Sequence, residues 1–204
     1  MKKIMFNDEY GLTKAVLAGE KTMTRRVIGE KLLIDAMTYA CGDIMKRNEY
    51  LLQHAPYKVG EVVAVAQSYR DIMAREYLHA SKENEVIRLV EEQHAGCTNK
   101  MYVRADLMPN LIRFISANVE CMQDISNDDC MCEGIYRHNA APDVLGEDRY
   151  KFISFAYDAT PGRNHKRWWF PSPKEAFAAL IDKLSGKGTW DKNPLVYSYG
   201  FELV

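Results

Sequence analysis

The sequence has no long hydrophobic run, and this limits where the protein can reside. Its most apolar stretch, VVAVA at residues 62–66, is far too short to cross a bilayer. The N-terminal residues MKKIMFNDEYGL start with positive charge but lack the continuous apolar segment of a secretion signal. We therefore expect a cytoplasmic protein with no membrane partner.

The chain also lacks a net charge of either sign. Its 27 Lys and Arg residues are balanced by 28 Asp and Glu residues, which leaves a formal charge of -1. No overall electrostatic field therefore draws the whole molecule onto nucleic acid or an anionic membrane. Any binding of that kind has to be local.

Cysteine is scarce and odd in number, with 5 residues among 204. Without a secretion signal, we expect reduced thiols rather than a disulfide framework. Two close pairs, His94-x-x-Cys97 and Cys130-x-Cys132, have metal-ligand character. However, the second pair lies on a predicted helix, where residues two apart diverge, and no full set of paired zinc ligands is recognisable. We expect no metal and no cofactor.

Short strand patterns are separated by helical patterns along the whole chain. Alternation and β-branched residues predict strands at residues 3–6, 22–28, 61–67, 110–125, 150–158 and 194–204. In the last of these, large apolar residues alternate with smaller or polar ones, which predicts one strongly buried face.

Helix signals lie between these strands. The clearest helix follows Ser172, which is a typical N-cap, with Pro173 in the first turn and Gly186 after the last. A second helix is predicted after Ser126, with Glu133 near its C-terminal end. Between residues 69 and 93, the spacing of apolar residues predicts one or two amphipathic helices.

No internal repeat, low-complexity tract or linker interrupts these elements. We therefore expect a single domain over residues 1–204, with insertions at about 29–56 and 69–100. Because short strands and helices alternate without a regular strand–helix–strand rhythm, the pattern predicts an α+β fold or a small barrel.

The segment GEKTMTRRV, residues 19–27, is unusually polar for a strand. Period-two alternation places Thr22, Thr24 and Arg26 on one face, and Met23, Arg25 and Val27 on the other. Such a strand, beside a glycine turn, can line the mouth of a barrel, where ligand sites commonly lie. Alternatively, its polar residues face solvent on a half-exposed strand.

The spacing Gly19-x-Lys21-x-x-Thr24-x-Arg26 resembles the signature strand of the ASCH family, whose members have a PUA-like β-barrel. YKVGEVVAV resembles the glycine-acid turn that enters a strand in this family, and VECMQDISNDDCMCEGI resembles its strand, turn and acidic helix. WDKNPLVYSYGFELV is similar to the closing strand of the longer phage-type and bacterial members. The resemblance implies an ASCH-type barrel with peripheral helices and a helical insertion.

The same resemblance implies function. ASCH proteins are regarded as RNA-related binding modules, so we expect recognition of RNA or a modified nucleoside. Small bacterial members are amidohydrolases that remove the acetyl group from N4-acetylcytidine, using a lysine and a threonine of the signature strand and a glutamate of the acidic helix. By motif, these catalytic residues correspond to Lys21, Thr24 and Glu133. Arg26, Thr22 and Gly19 correspond to further ligand-binding positions.

The chemistry of this set is coherent. A threonine hydroxyl becomes a nucleophile when a base removes its proton, and a lysine serves as that base if burial lowers its pKa. Glu133 can hold Lys21 or shuttle a proton, and Arg26 can polarise an acyl oxygen or bind a base carbonyl. The alternative is a Lys21–Glu133 salt bridge that only closes the mouth of the barrel.

Two other segments offer interaction surfaces. In GRNHKRWWFPSPK, basic residues stand beside aromatic ones, a combination suited to single-stranded nucleic acid, and the candidate contacts are Arg163, Lys166, Arg167 and Trp168. The alternative is that the tryptophans anchor a core, as paired tryptophans more often do, with Phe170 as a hydrophobic staple. The insertion at residues 69–93 can form a lid, a plug or a surface for a protein partner.

Overall fold

The computed structural model describes residues 1–73, 80–138, 149–152 and 170–204. Its strands are β1 (Lys3–Ile4), β2 (Met23–Val27), β3 (Val62–Val65), β4 (Leu111–Cys121), β5 (Ile135–His138), β6 (Arg149–Phe152) and β7 (Leu195–Leu203). Its helices are α1 (Leu12–Leu17), α2 (Glu30–Ala40), α3 (Ile44–Gln53), α4 (Tyr69–Met73), α5 (Ala80–Glu91), α6 (Asn127–Cys132), α7 (Pro173–Ser185) and α8 (Thr189–Lys192). Short 3-10 turns connect α5 to β4 and β4 to α6.

The main sheet is mixed, with the strand order β1-β3-β4-β7-β2. The β1–β3 pair is parallel and the other pairs are antiparallel, while β5 and β6 form a separate hairpin. The α+β class predicted from the sequence is confirmed. The described strands form an open sheet rather than a closed barrel, since β1 is only 2 residues long and pairs with β3 alone.

Strand β7 lies between β4 and β2 and is buried on both faces, which differs from the single buried face that its alternation predicted. The backbones of β4 and β7 approach closely at Gly200, whose N–H donates to Ser116 Oγ at 3.1 Å. A Cβ on Gly200 would lie 2.5 Å from that oxygen. The small residues of β7 therefore serve close packing rather than exposure to solvent.

The two faces of β3 belong to two hydrophobic clusters. Val63 and Val65 face the main core, whereas Ala64 joins a second cluster that includes Val86 and Leu89 of α5. The helical spacing predicted between residues 69 and 93 is confirmed for the described part of that segment. Because both clusters share β3, the insertion packs directly onto the sheet.

The first insertion, at residues 29–56, forms helices α2 and α3, which pack against each other. Ala36 and Leu51 are buried in the main core, and the Tyr197 hydroxyl donates to the Leu51 carbonyl at 2.8 Å. Apolar residues such as Met37 and Met45 remain exposed. The two helices therefore bury one face in the core and leave apolar side chains on the surface.

The two predicted helix starts near the site are confirmed. Ser126 Oγ accepts the N–H of Asp129 at 3.0 Å, and Ser172 Oγ accepts the N–H of Glu175 at 3.2 Å. Each serine therefore satisfies an N–H group that a helix N-terminus leaves unpaired. These caps fix the start of α6, which ends at the candidate site, and of α7, which forms one of its walls.

Within the described ranges, no helix has the length and apolar character needed to cross a bilayer.

Candidate functional site

A cleft of about 450 Å³ lies between the segment after β1, strand β2, the C-terminal end of α6 and one face of α7. Residues 21–26 and the C-cap of α6 supply a cluster of polar side chains, and α7 supplies half of the apolar ones. The polar side chains are Lys21, Thr24, Arg25, Arg26, Lys100, Glu133, Asn7, Asp8 and Ser185. The cleft therefore offers one hydrogen-bonding wall and one hydrophobic wall to a ligand.

Main-chain hydrogen bonds bring the start of β2 and the end of α6 together. The N–H of Thr22 donates to the carbonyl of Cys132 at 2.9 Å, and the N–H of Phe201 donates to the carbonyl of Thr22 at 2.8 Å. The start of β2 is thus joined both to the end of α6 and to β7. As a result, Lys21 stands beside Glu133, the residue that caps the C-terminus of α6.

Lys21 and Glu133 form a buried ion pair. The Lys21 ammonium lies 2.6 Å from Glu133 Oε2 and 2.7 Å from the Glu133 carbonyl oxygen. The side chains of Lys21 and Glu133 are only 2% and 5% exposed. Burial lowers the pKa of Lys21 below its ordinary value, although the Glu133 carboxylate acts in the opposite direction. This is the direction that a base role for Lys21 requires.

Arg25 is a member of the site that the sequence analysis missed. Its guanidinium donates from Nε to Glu120 Oε1 at 2.7 Å, from Nη1 to Glu133 Oε1 at 3.2 Å and from Nη2 to Asp129 Oδ2 at 3.0 Å. Burial opposes the charged guanidinium, but the carboxylates of Glu133 and Glu120 outweigh it and raise the pKa of Arg25. The density of acidic residues around α6 was the available signal for a buried cation.

Arg26 contacts different groups from its neighbour. Its Nη2 donates to the Met5 carbonyl at 2.7 Å, and its Cζ lies 5.7 Å from the centre of the Phe6 ring. Its Nε is buried and has no hydrogen-bond partner in the described part of the chain. A buried donor without an acceptor is uncommon in folded proteins, so this group requires an explanation in the site.

Thr24 is 5% exposed and lines the same cleft as Lys21, Arg26 and Glu133. The structure therefore brings together the four residues of the predicted pocket. Thr22 does not line this cleft and contributes through its main chain.

Gly19 also lies away from the cleft lining and forms the turn before β2, where its φ is 72°. The residue type suits this backbone conformation, which side chains other than glycine rarely adopt. Its contribution is to the path of the chain between α1 and β2.

Gly134 was not singled out by the sequence, yet it shapes the site. Its φ is 97°, and a Cβ there would lie 3.1 Å from Leu12 Cδ2 and 3.7 Å from Lys21 Cδ. Glycine therefore permits the chain to turn directly after Glu133 while Lys21 packs alongside. Glu133 and Gly134 thus act together: Glu133 ends α6 and binds Lys21, and Gly134 lets the chain turn away directly afterwards.

The second insertion reaches the cleft through Lys100. Its ammonium donates to Asp8 Oδ1 at 2.8 Å, to Thr13 Oγ1 at 3.0 Å and to the carbonyl oxygen of Phe6. The Thr13 hydroxyl in turn donates to Asp8 Oδ1 at 2.5 Å, with the Phe6 carbonyl oxygen 3.2 Å away. Lys100 therefore fixes the segment at residues 6–8, which forms one rim of the cleft.

Helix α7 forms the apolar wall. Phe177, Leu180 and Ile181 are buried in the main core, and Leu184 is exposed at the edge of the cleft. The sequence predicted this helix as a peripheral element. In the structure it also completes the cleft opposite the polar strand.

The predicted nucleic-acid contacts Arg163, Lys166, Arg167 and Trp168 lie outside the described residues. Phe170, which follows them, packs partly buried against the main core. This position agrees with the alternative interpretation of Phe170 as an apolar anchor before the Ser172 cap.

In the described ranges, no group of three or more His, Cys, Asp or Glu side chains is placed to hold a metal ion.

Comparisons of the chain with protein-family profiles, with curated proteins and with solved structures found no match.

Proposed function

We propose that the cleft recognises a modified nucleoside, either free or within RNA, in the manner of an ASCH-type pocket. The observation that carries this proposal is the convergence of Lys21, Thr24, Arg26 and Glu133 on one cleft. Their spacing resembles that of the ASCH signature strand and acidic helix, and Lys21 and Glu133 are 112 residues apart in sequence.

The form of the cleft supports a nucleoside ligand. A volume of about 450 Å³ suits a small molecule rather than a large one. The exposed side chain of Leu184 can cover part of the face of a base, while Arg26 and Lys21 can donate to its polar edge. The buried Nε of Arg26 gains an acceptor if a small shift of the side chain admits a base or acyl carbonyl.

We further propose that the open sheet is a curled relative of the PUA-like barrel. Strands β1 and β2 are the two edges of the sheet. Nevertheless, Arg26 Nη2 of β2 donates to the carbonyl oxygen of Met5, the residue after β1, at 2.7 Å. This contact supports a sheet whose edges approach within the reach of one side chain. A barrel of this kind places its ligand site at the mouth, which here is the side where β2 begins.

Amide hydrolysis is the second candidate function, and the burial of Lys21 favours it. A lysine with a lowered pKa can accept the proton of Thr24 Oγ1, whose oxygen then attacks the acyl carbon of an N-acyl nucleoside. Arg26 stabilises the developing oxyanion, and the protonated Lys21 returns its proton to the leaving amine. Water then hydrolyses the threonine ester, which releases the carboxylate and restores Thr24.

The third possibility is a protein-interaction role for the insertion at residues 69–93. The burial of its apolar residues argues against this role. Val86 and Leu89 are buried in the cluster behind β3, so these apolar residues are not free for a partner. We therefore rank this role below the two functions of the cleft.

Binding measurements test the recognition proposal. Calorimetric titration with cytidine, uridine and N4-acetylcytidine should show saturable binding of a modified nucleoside by the unaltered protein. Arg26→Gln should weaken this binding at least tenfold, because it removes a charged donor from the cleft wall. Arg113→Gln alters an exposed arginine paired with Glu202 and should leave the affinity unchanged. Equal affinities in all three proteins would contradict the proposal.

Turnover distinguishes hydrolysis from recognition. If the cleft is catalytic, the protein should release acetate and cytidine from N4-acetylcytidine, and Thr24→Ala should reduce the rate by several orders of magnitude. Thr24→Ser should keep part of the activity, because it retains the hydroxyl. Saturable binding without release of acetate would establish recognition alone.

A gel-shift assay with single-stranded RNA tests whether the nucleoside is bound within a polymer. Arg167→Gln and Trp168→Ala should each weaken the shift, and the arginine variant should also reduce its dependence on salt. RNA affinity that is insensitive to both variants would limit the ligand to a free nucleoside or to contacts made by the cleft alone.

A further inference from the structure

Arg25 connects three acidic residues from different parts of the fold. Glu120 lies in β4, Asp129 in α6, and Glu133 at the end of that helix. The Arg25 side chain is 1% exposed, whereas the side chains of Glu120 and Asp129 are 26% and 37% exposed. The buried guanidinium therefore binds Glu133 on the cleft side and two more accessible carboxylates on the other side.

The two cations divide the Glu133 carboxylate between them. Oε1 accepts from Arg25 at 3.2 Å, and Oε2 accepts from Lys21 at 2.6 Å. A carboxylate that faced Lys21 alone would place more of its negative charge at the ammonium. Because Arg25 holds one oxygen, it both fixes the rotation of the carboxylate and draws its charge away from Lys21.

We propose that Arg25 is a positioning residue. It orients the Glu133 carboxylate and weakens the attraction between that carboxylate and the protonated Lys21 ammonium. This role rests on the proposed function, in which Lys21 has to release or exchange its proton in the cleft. Arg25 acts through Glu133 and does not itself need to touch the ligand.

The charged surroundings of Lys21 support this role. From β2 it faces Arg25 and Arg26, and from the end of α6 it faces Glu133. The Phe6 ring lies 5.9 Å away, and α7 contributes no charged side chain to the cleft lining. Burial lowers the pKa of Lys21, Glu133 raises it, and the two arginines lower it further. The farther charged residues of the cleft, Asp8 and Lys100, are paired with each other.

An NMR titration of Lys21 tests the proposal without any ligand. Lysine labelled with ¹³C at Cε reports ionisation through its chemical shift, and the Lys21 signal is assigned by its loss in Lys21→Arg. In Arg25→Gln, the titration midpoint of Lys21 should rise by about one pH unit or more, because the whole Glu133 carboxylate becomes available to the ammonium. In the matched control Arg113→Gln, the midpoint should stay unchanged.

A second variant should move the Lys21 titration midpoint in the opposite direction from Arg25→Gln. Glu120→Gln combined with Asp129→Asn leaves Arg25 with Glu133 as its remaining carboxylate partner, so the Lys21 midpoint should fall. The two altered side chains are the more exposed partners, so this variant tests the proposal even if Arg25→Gln does not fold. A midpoint that is unchanged or moves upward in this variant would overturn the proposal.

A double-variant comparison establishes whether Arg25 acts through Glu133. In a Glu133→Gln background, Arg25→Gln should change the Lys21 midpoint by less than half of its effect in the unaltered protein. An undiminished effect would show direct repulsion between the two cations and would overturn the positioning role. Since no nucleoside is present, failure here is separate from failure of the cleft to bind one.

Discussion

Lys21 and Glu133 are 112 residues apart in sequence, yet the Lys21 ammonium lies 2.6 Å from the Glu133 carboxylate in a buried pair. Arg25 also binds the Glu133 carboxylate, so this one carboxylate pairs with two buried cations. The loss of the carboxylate and the loss of one cation should therefore have different consequences.

We expect Glu133→Gln to destabilise the protein more than Lys21→Met. The first change leaves Lys21 and Arg25 without a shared carboxylate, and breaking a buried ion pair typically costs about 3 to 5 kcal/mol. The second change leaves Glu133 paired with Arg25 and replaces the lysine by an apolar side chain of similar length. Urea denaturation measures both free energies of unfolding.

The exposed pair Arg113–Glu202 provides the control for this comparison. Its side chains are 48% and 50% exposed, so Glu202→Gln should change the free energy of unfolding by no more than about 0.5 kcal/mol. Equal losses for Glu133→Gln and Lys21→Met would contradict the shared-carboxylate interpretation.

Gly134→Ala should disturb both stability and the site. The change introduces a Cβ at a φ of 97° and brings it within 3.1 Å of Leu12, so we expect a loss of about 2 kcal/mol or more. Gly42 has a φ of 90° but open space around it, so Gly42→Ala isolates the conformational cost, about 1 kcal/mol. Thermal unfolding should rank the two variants in this order, and the reverse order would refute a packing role for Gly134.

Lys100→Met should loosen the rim of the cleft. It removes donors to Asp8, Thr13 and the Phe6 carbonyl, and we expect a loss of about 1 to 2 kcal/mol with weaker nucleoside binding. Lys46 is an exposed lysine with a 3.8 Å contact to Asp43, so Lys46→Met is the matched control and should alter neither quantity. Unchanged nucleoside affinity in Lys100→Met would separate the second insertion from the site.

The lowered pKa of Lys21 also predicts a dependence of stability on pH. Unfolded Lys21 keeps its proton to a higher pH than folded Lys21, so its contribution to the free energy of unfolding rises with pH between the two pKa values. Cys130 acts in the opposite direction in every variant, because burial raises its pKa to about 12. The difference between the unaltered protein and Lys21→Met therefore isolates Lys21.

Urea denaturation at a series of pH values, up to about 10.4 where an ordinary lysine titrates, measures this difference. The stability of the unaltered protein relative to Lys21→Met should increase along the series. A relative stability that falls as the pH rises would mean that the ion pair raises the pKa of Lys21 instead.

Local signals in the sequence located much of the framework. The caps at Ser126 and Ser172 were recognisable because an N-cap depends on residues within one helical turn. Strand β2 was predicted at residues 22–28 and spans Met23–Val27, since its β-branched and alternating residues lie next to one another. These signals depend on residues that are close together in the sequence. They can therefore be recognised without knowledge of the tertiary contacts.

The contacts that define the site have longer range and were less accessible. Arg25 binds Glu120 and Asp129, which are 95 and 104 residues away, so strand alternation assigned it a face but no partners. Lys100 likewise reaches Phe6 across 94 residues. The proximity of Lys21 and Glu133 was expected only from the proposed ASCH resemblance of the two segments that contain them.

Chemical-shift mapping of bound N4-acetylcytidine tests the central claim most directly. With ¹³C-labelled methyl groups, the account predicts saturable shifts at Leu180 and Ile181 of the cleft and no shifts at Ile72 and Leu89 of the second cluster. Shifts confined to the second cluster, or no saturable shift at either place, would contradict the assignment of the cleft as the nucleoside site.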